Sequence, residues 1–203
     1  MIYTGKILLV SYEFPPEMAT GGIGSYMHHL SLLLVDAGFV VTVFSATSVP
    51  GPIKFISNGL LERYLIYSVN QVDFREKALT LFSSFIEKNH IDLIESPEVG
   101  ACAIEIKKNF PEIPLIVKLH SPGVLITKVS RTYQPLATKL RYIAGAFIRG
   151  KIDLGYWAPK VKDKIFDEEY QLCKMANQIL SPSLALKNWV KKQWDFSDED
   201  IKV

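Results

Sequence analysis

The 203-residue sequence is short of cysteine, of net charge and of long apolar runs, and each scarcity removes a class of protein. Its two cysteines, Cys102 and Cys173, sit in helix-patterned, partly apolar surroundings, which suggests neither a disulfide framework nor a metal site. A formal net charge of +2 gives no footing for nucleic acid or another polyanion. No uninterrupted run approaches the roughly 20 apolar residues of a spanning helix. The amino terminus also lacks a basic start, apolar stretch and small-residue cleavage site, because Met1 leads almost directly into a strand pattern. Hydrophobic residues make up 48% of the chain, ample for one large core. The expectation is a soluble cytoplasmic domain.

What is present concentrates between Lys6 and Phe44. The run Ile7 to Val10 is short and uniformly apolar, as in a strand buried on both faces. After Pro15-Pro16 and Gly21-Gly22-Ile23-Gly24, residues Ile23, Tyr26, Met27, Leu30, Leu33, Leu34 and Ala37 recur at helical spacing and predict one inward stripe, ended by Gly38. Val40 to Phe44 reads as the next strand. A strand, helix and strand so close together form the βαβ unit of a parallel sheet. In such a unit the first loop faces the ligand crevice and the helix N-terminus favours anions. Gly21, Gly22 and Gly24 either clear space for a phosphate or only shape a turn.

Two phosphate-binding signatures are missing. A dinucleotide loop places Gly-x-Gly-x-x-Gly directly after the strand, with an acid ending the second strand; here the glycines come late and the second strand ends Ser45-Ala46-Thr47. A P-loop needs Gly-Lys-Ser/Thr, which this loop lacks. NAD and ATP are disfavoured.

Downstream, strand and helix patterns alternate. Ile53 to Ile56 and Arg63 to Val69 flank a turn at Asn58-Gly59; a helix is expected from Asp73 to Asn89, with Phe74, Ala78, Leu81, Phe82, Phe85 and Ile86 inward. Asp92 to Glu95 reads as a strand, Val99 to Lys108 as a helix and Leu115 to Leu119 as a strand. Asp167-Glu168-Glu169 opens a late helix, Gln178 to Leu180 is a last strand, and Ser183 caps a terminal helix. His120 ends its strand at the ligand edge. Glu13, Glu17, Glu95 and Glu98 give two acidic loops there, with Glu17 the one best explained by solvation. From Pro122 to Ile152 there are six basic residues, Lys128, Arg131, Lys139, Arg141, Arg149 and Lys151, and no acid. Leu136, Leu140, Ile143 and Phe147 predict a basic amphipathic helix, either docked on the sheet with its basic face in water or lying on anionic lipid. Arg131, Tyr133 and Arg141 alternatively contact a charged acceptor.

The segment KILLVSYEFPPEMATGGIGSYMHHLSLLLVDAGFVVTVFSA closely resembles the amino-terminal end of family four glycosyltransferases, and IDLIESPEVGACAIEIKK, PLIVKLHSP and CKMANQILSPSLALKNWV resemble later family segments in order. The resemblance implies an α/β fold, a Rossmann-like three-layer α/β/α sandwich with a mostly parallel sheet, forming one half of a GT-B architecture. Residues 1–203 would be a single acceptor-side domain. No second β/α series follows with the family's pair of glutamates separated by seven residues, so the donor-binding C-terminal domain is expected to lie outside this chain, and the fragment alone to be inactive.

By the same resemblance the intact protein moves a sugar from a nucleotide-sugar donor to a carbohydrate or lipid-linked acceptor hydroxyl with retention. Gly21 and Gly22 would face the donor phosphates, His120 the transferred sugar, and Glu98, then Glu95, the acceptor, with no cofactor or metal required. Peripheral contact with the inner membrane face stays open. A non-catalytic nucleotide-binding Rossmann-like module, or half of a GT-B epimerase or phosphorylase, is the alternative.

Overall fold

The apolar runs without helical period become strands because both of their faces are covered. A computed structural model describes residues 5–18, 21–152 and 163–203 of the chain. Strand β1 (Lys6–Ser11) is central, with parallel neighbours β2 (Val40–Thr47) and β5 (Leu93–Pro97). Its Leu8 and Val10 enter one core while Ile7 and Leu9 enter the other, the alternation of a strand buried twice. Beyond β2 lie β4 (Leu61–Tyr67), parallel, and β3 (Lys54–Asn58), an antiparallel edge strand joined to β4 by the Asn58-Gly59 turn, where Gly59 has φ +64. Beyond β5 come β6 (Leu115–Lys118), β7 (Gln178–Leu180) and β8 (Ile201–Lys202), all parallel. The eight-stranded order β3-β4-β2-β1-β5-β6-β7-β8 reverses direction between β1 and β5. Such a reversal opens a crevice at the carboxyl ends of the strands.

Helix α1 (Gly22–Asp36) covers one face, with Met27 buried among Ile7, Leu9, Val41 and Val43. The other face receives α2 (Gln71–Ile86), α3 (Ile104–Asn109), α6 (Glu168–Met175) and α7 (Leu184–Trp194), whose Phe74, Phe82, Ile104, Leu172, Val190 and Trp194 are fully buried. Side chains of Asn70, Asp167 and Ser183 accept first-turn N–H groups of α2, α6 and α7, and Gly38 follows α1 at φ +91. Helices α4 (Gly123–Thr132) and α5 (Leu136–Ile148) fill the β6-to-α6 connection. The three-layer α/β/α architecture is the one expected.

Several local expectations are revised. Leu33 and Ala37 face solvent, since Leu33 lies about 120° around the helix from Met27 at 100° per residue, beyond the stripe. The helix expected from Val99 is broken: a short turn over Val99–Ala101 places Gly100 at φ +73 and Ala101 at φ +47 before α3 starts. The predicted basic amphipathic helix is α5, and a further helix, α4, precedes it in the same basic stretch, the two separated at Pro135, which lacks an N–H. Nor is α5 docked by its apolar stripe, for Leu136, Leu140 and Phe147 are exposed. Glu17 is not merely solvated: it pairs with Arg63, whose guanidinium also lies over the Phe14 ring. Both cysteines are buried and unpaired; burial pushes the Cys102 thiol up to about 12 and raises that of Cys173 well above its ordinary value.

Candidate functional site

The carboxyl ends of β1, β5 and β6 and the start of α1 meet at the crevice. Gly21 is the N-cap of α1 in extended conformation and, lacking a side chain, leaves the helix start uncapped. Both Gly21 and Gly22 are exposed; a Cβ at Gly22 would meet nothing within 4 Å, and one at Gly21 only a carboxylate oxygen of Glu13, at 3.5 Å. Gly24 differs, because it is buried and a Cβ there would lie 3.4 Å from the Met18 carbonyl oxygen. The first two glycines therefore leave the unpaired N–H groups of the helix start open, and the third closes the loop onto the helix.

His120 follows β6 and is held twice. Its backbone N–H donates to Glu98 Oε1 at 2.7 Å, and its Nδ1 lies 3.0 Å from the Lys118 carbonyl. A carbonyl only accepts, so Nδ1 carries a proton; in its neutral form such a ring presents a lone pair on Nε2. Nε2 is buried without a hydrogen-bond partner. Glu98 is fully buried, with Oε2 3.5 Å from Nδ1, so its carboxylate engages the histidine rather than the open crevice.

Glu95 belongs to the same cluster from below. Ile94 and Val117 point into the core opposite α1, so alternation sends Glu95 and Lys118 to the α1 side. There Glu95 Oε1 accepts the Tyr26 hydroxyl at 2.6 Å, and the Tyr26 ring meets His120 edge-on with centroids 5.1 Å apart. Lys118 Nζ stands 5.8 Å from the Tyr26 ring centroid. Burial raises the Glu95 carboxyl above its usual range, against the Tyr26 hydrogen bond and the charges of Lys118 and His120. Burial, then the charge of Glu95, raises the Tyr26 hydroxyl as well. Because Tyr26 lies about one turn after Gly22, it fixes the helix start against the histidine.

A cavity of about 470 Å³ opens nearby, lined by Gln71 and Arg75 of α2, Gly100, Thr127 and Arg131 of α4, and the Asp167 to Glu169 start of α6, among others. Glu169 crosses between elements: its oxygens accept Gly123 N–H at 2.7 Å, at the start of α4, and Gly100 N–H at 3.2 Å. Burial dominates these hydrogen bonds and pushes its carboxyl up to about 7. Arg131 thus lines a cavity, whereas Tyr133, 80% exposed, does not. Among the described residues no group of three or more His, Cys, Asp or Glu could hold a metal ion.

The structure therefore brings Gly21, Gly22, Glu95, Glu98 and His120 to one edge and sets Arg131 at a separate cavity. Tyr26, Lys118, Arg75 and Glu169 join these sites without having been singled out by sequence. Tyr26 was legible only as a core residue of its stripe, and Glu169 only as a dipole-matched acid of its own helix. Glu87 and Glu95 are separated by seven residues, but one ends α2 and the other is buried in β5, so that spacing does not place them on one helix face.

A sequence model of Glycosyltransferase Family 4 matches residues 20–203. Forty residues are 50% identical to glycogen synthase of Mycobacterium tuberculosis, covering 20% of this chain and 9% of that protein. Sucrose-phosphate synthase from Thermosynechococcus elongatus is similar in structure at TM-score 0.67 and 13% identity, over 98% of this chain and 47% of that one. The catalytic domain of Starch Synthase IV from Arabidopsis thaliana, bound to ADP and acarbose, gives TM-score 0.59 at 12% identity, over 98% and 51%. This chain spans about half the length of those solved structures, and at such identities the likeness shows the fold.

Proposed function

Given that this chain belongs to Glycosyltransferase Family 4, we propose that the full-length protein transfers a sugar from a nucleotide-sugar donor to an acceptor hydroxyl with retention, and that residues 1–203 are its acceptor-side half. The observation that carries this reading is the uncapped α1 N-terminus with open Gly21 and Gly22, set beside a histidine whose Nε2 has no protein partner. Starch Synthase IV, similar in fold, binds ADP and acarbose, which supports a sugar nucleotide as donor.

In this reading the bond from the anomeric carbon to the diphosphate breaks while a bond to the acceptor oxygen forms on the same face. The acceptor proton passes to the departing phosphate oxygen, so no protein nucleophile is required. Charge develops on the diphosphate, where N–H groups at Gly21 and Gly22 and the α1 dipole stabilise it. His120 Nε2 accepts a hydrogen bond from a hydroxyl of the transferred sugar, while Glu98 holds the residue through its backbone N–H and the Lys118 carbonyl fixes Nδ1. Glu95 and Tyr26 position the same edge from beneath. A second domain outside this chain supplies the base, ribose and remaining phosphate contacts, and its closure excludes water.

Assaying full-length protein against a panel of nucleotide sugars and acceptors tests this. Release of nucleoside diphosphate matched by a new glycosidic bond of unchanged anomeric configuration is expected. Nucleotide binding with no transfer to any acceptor would favour the non-catalytic module.

For location we propose the cytoplasm, with peripheral contact on anionic lipid through α5. Leu136, Leu140, Phe147 and Ile148 are exposed there, with Arg141, Arg149 and Lys151 exposed beside them. Among the described residues no helix is long and apolar enough to cross a membrane. Flotation with vesicles should enrich the protein on anionic over neutral lipid, and equal recovery would refute the contact.

A further inference from the structure

Arg75 stands in the wall of the 470 Å³ cavity and is only 5% exposed. Its Nη1 lies 3.0 Å from Glu168 Oε2, yet neither Nη1 nor Nε makes a hydrogen bond, because the N–H directions miss that oxygen. The unfilled donors of a buried guanidinium are costly to leave unmade. Set in the lining of a cavity of ligand size, they are satisfied by whatever brings acceptor oxygens there.

Three carboxylates border the same space, and each has another occupation. Asp167 accepts the Glu169 N–H and caps α6. Glu169 accepts the N–H groups of Gly100 and Gly123, and burial pushes its carboxyl up to about 7. Glu168 reaches Arg75 from a side chain that is 47% exposed, the kind of counterion an incoming anion displaces into water. Arg131 adds a second cation to the lining.

Resting on the acceptor-side reading above, we infer that this cavity is a subsite for an acceptor carrying a compact anion, a phosphate monoester or a carboxylate on a sugar, whose oxygens take the unfilled N–H groups of Arg75. A rigid guanidinium offers several fixed donors where lysine offers one point charge, so lysine does not replace it at such a site.

Calorimetric titration of the full-length protein without donor tests this, using inorganic phosphate, glucose 6-phosphate, glucuronate and glucose as probes. At least one anionic sugar should bind about tenfold or more tightly than glucose, the worth of a charge-assisted pair. The phosphate and glucuronate arms tell which anion is preferred. Arg75→Gln should bring anionic and neutral sugars to the same affinity. Thr127→Trp, which fills the cavity from α4 and leaves Arg75 in place, should do so too, and it decides the matter if Arg75→Gln does not fold. Equal binding of anionic and neutral probes by the wild type, or an undiminished preference in the variants, would overturn the inference. Because no donor is present, Arg75-dependent binding by a protein that transfers nothing would sink the proposed function alone. Transfer to neutral acceptors with no Arg75 dependence would sink this inference alone.

Discussion

Replacing Glu98 by alanine should destabilise the domain through one identifiable group, the backbone N–H of His120. That N–H donates to Glu98 Oε1 at 2.7 Å, inside a site where the carboxylate is fully buried. Truncation leaves a buried donor without an acceptor, at about 1–3 kcal/mol, and removes a packed side chain worth roughly another 1 kcal/mol per lost methylene contact group. Relief of the buried charge offsets part of this, so the net loss is about 2–3 kcal/mol. For a domain of this size the melting temperature should fall by about 4–12 °C. Glu98→Gln keeps an oxygen for the N–H and should cost less than half as much. Urea titration measures both, with unchanged m-values marking a stability change rather than altered compactness. An alanine variant within about 0.5 kcal/mol of wild type would refute the hydrogen bond as a support of His120. In the full-length protein, Glu98→Gln should lower kcat more than it raises the acceptor KM, the sign of a positioning residue.

Glu169 binds its proton more tightly when folded, since burial raises its carboxyl from 4.5 to about 7. The folded state then holds more protons between those values, so this group's contribution to stability falls as pH rises through that window, by at most about 3 kcal/mol; Glu169→Gln should flatten the stability profile between pH 4.5 and 7. Lys107 Nζ donates to the carbonyls of Pro111 and Ile113, each at 2.8 Å, and to Asn177 Oδ1 at 3.4 Å. Lys107→Met leaves the buried Ile113 carbonyl without this donor, while Asn177 Oδ1 keeps the Leu115 N–H, and should cost about 1–3 kcal/mol by chemical denaturation. Gly100→Ala puts a Cβ at φ +73 and 2.5 Å from the Gln71 side chain, so a loss of about 1–2 kcal/mol is expected.

Much of the fold was legible because its strands are buried on both faces and read as short, uniform apolar runs. Gly38 and Asn58-Gly59 marked real punctuation, since both glycines take positive φ. The broken helix after Glu98 was not legible: VGACAIEIKK carries an ordinary helical pattern, and the left-handed pair Gly100–Ala101 is imposed by packing against Gln71 and Glu169. The α5 stripe was readable, but period alone does not say whether an apolar face meets the sheet or the solvent. At the site, His120 and the two glycines could be placed at the crevice by strand-end logic. The Tyr26 to Glu95 bond joins residues 69 apart, and the Glu169 contacts with Gly100 and Gly123 span 69 and 46. No local pattern encodes such pairings. Glu98 looked like a crevice acid because its neighbours are loop-like, whereas its carboxylate turns inward to the histidine.

The most direct test of the central claim is sugar transfer by the full-length protein and its His120→Ala variant, measured beside their melting temperatures. The variant should lose about 10²-fold or more in kcat/KM, the usual cost of one polar contact to the reacting group, while still unfolding cooperatively, because the backbone N–H bond to Glu98 stays and the ring gives up only its Nδ1 contacts with the Lys118 carbonyl and Glu98 and its edge contact with Tyr26. Undiminished transfer by that variant would contradict the placement of the sugar between His120 and the Gly21-Gly22 helix start.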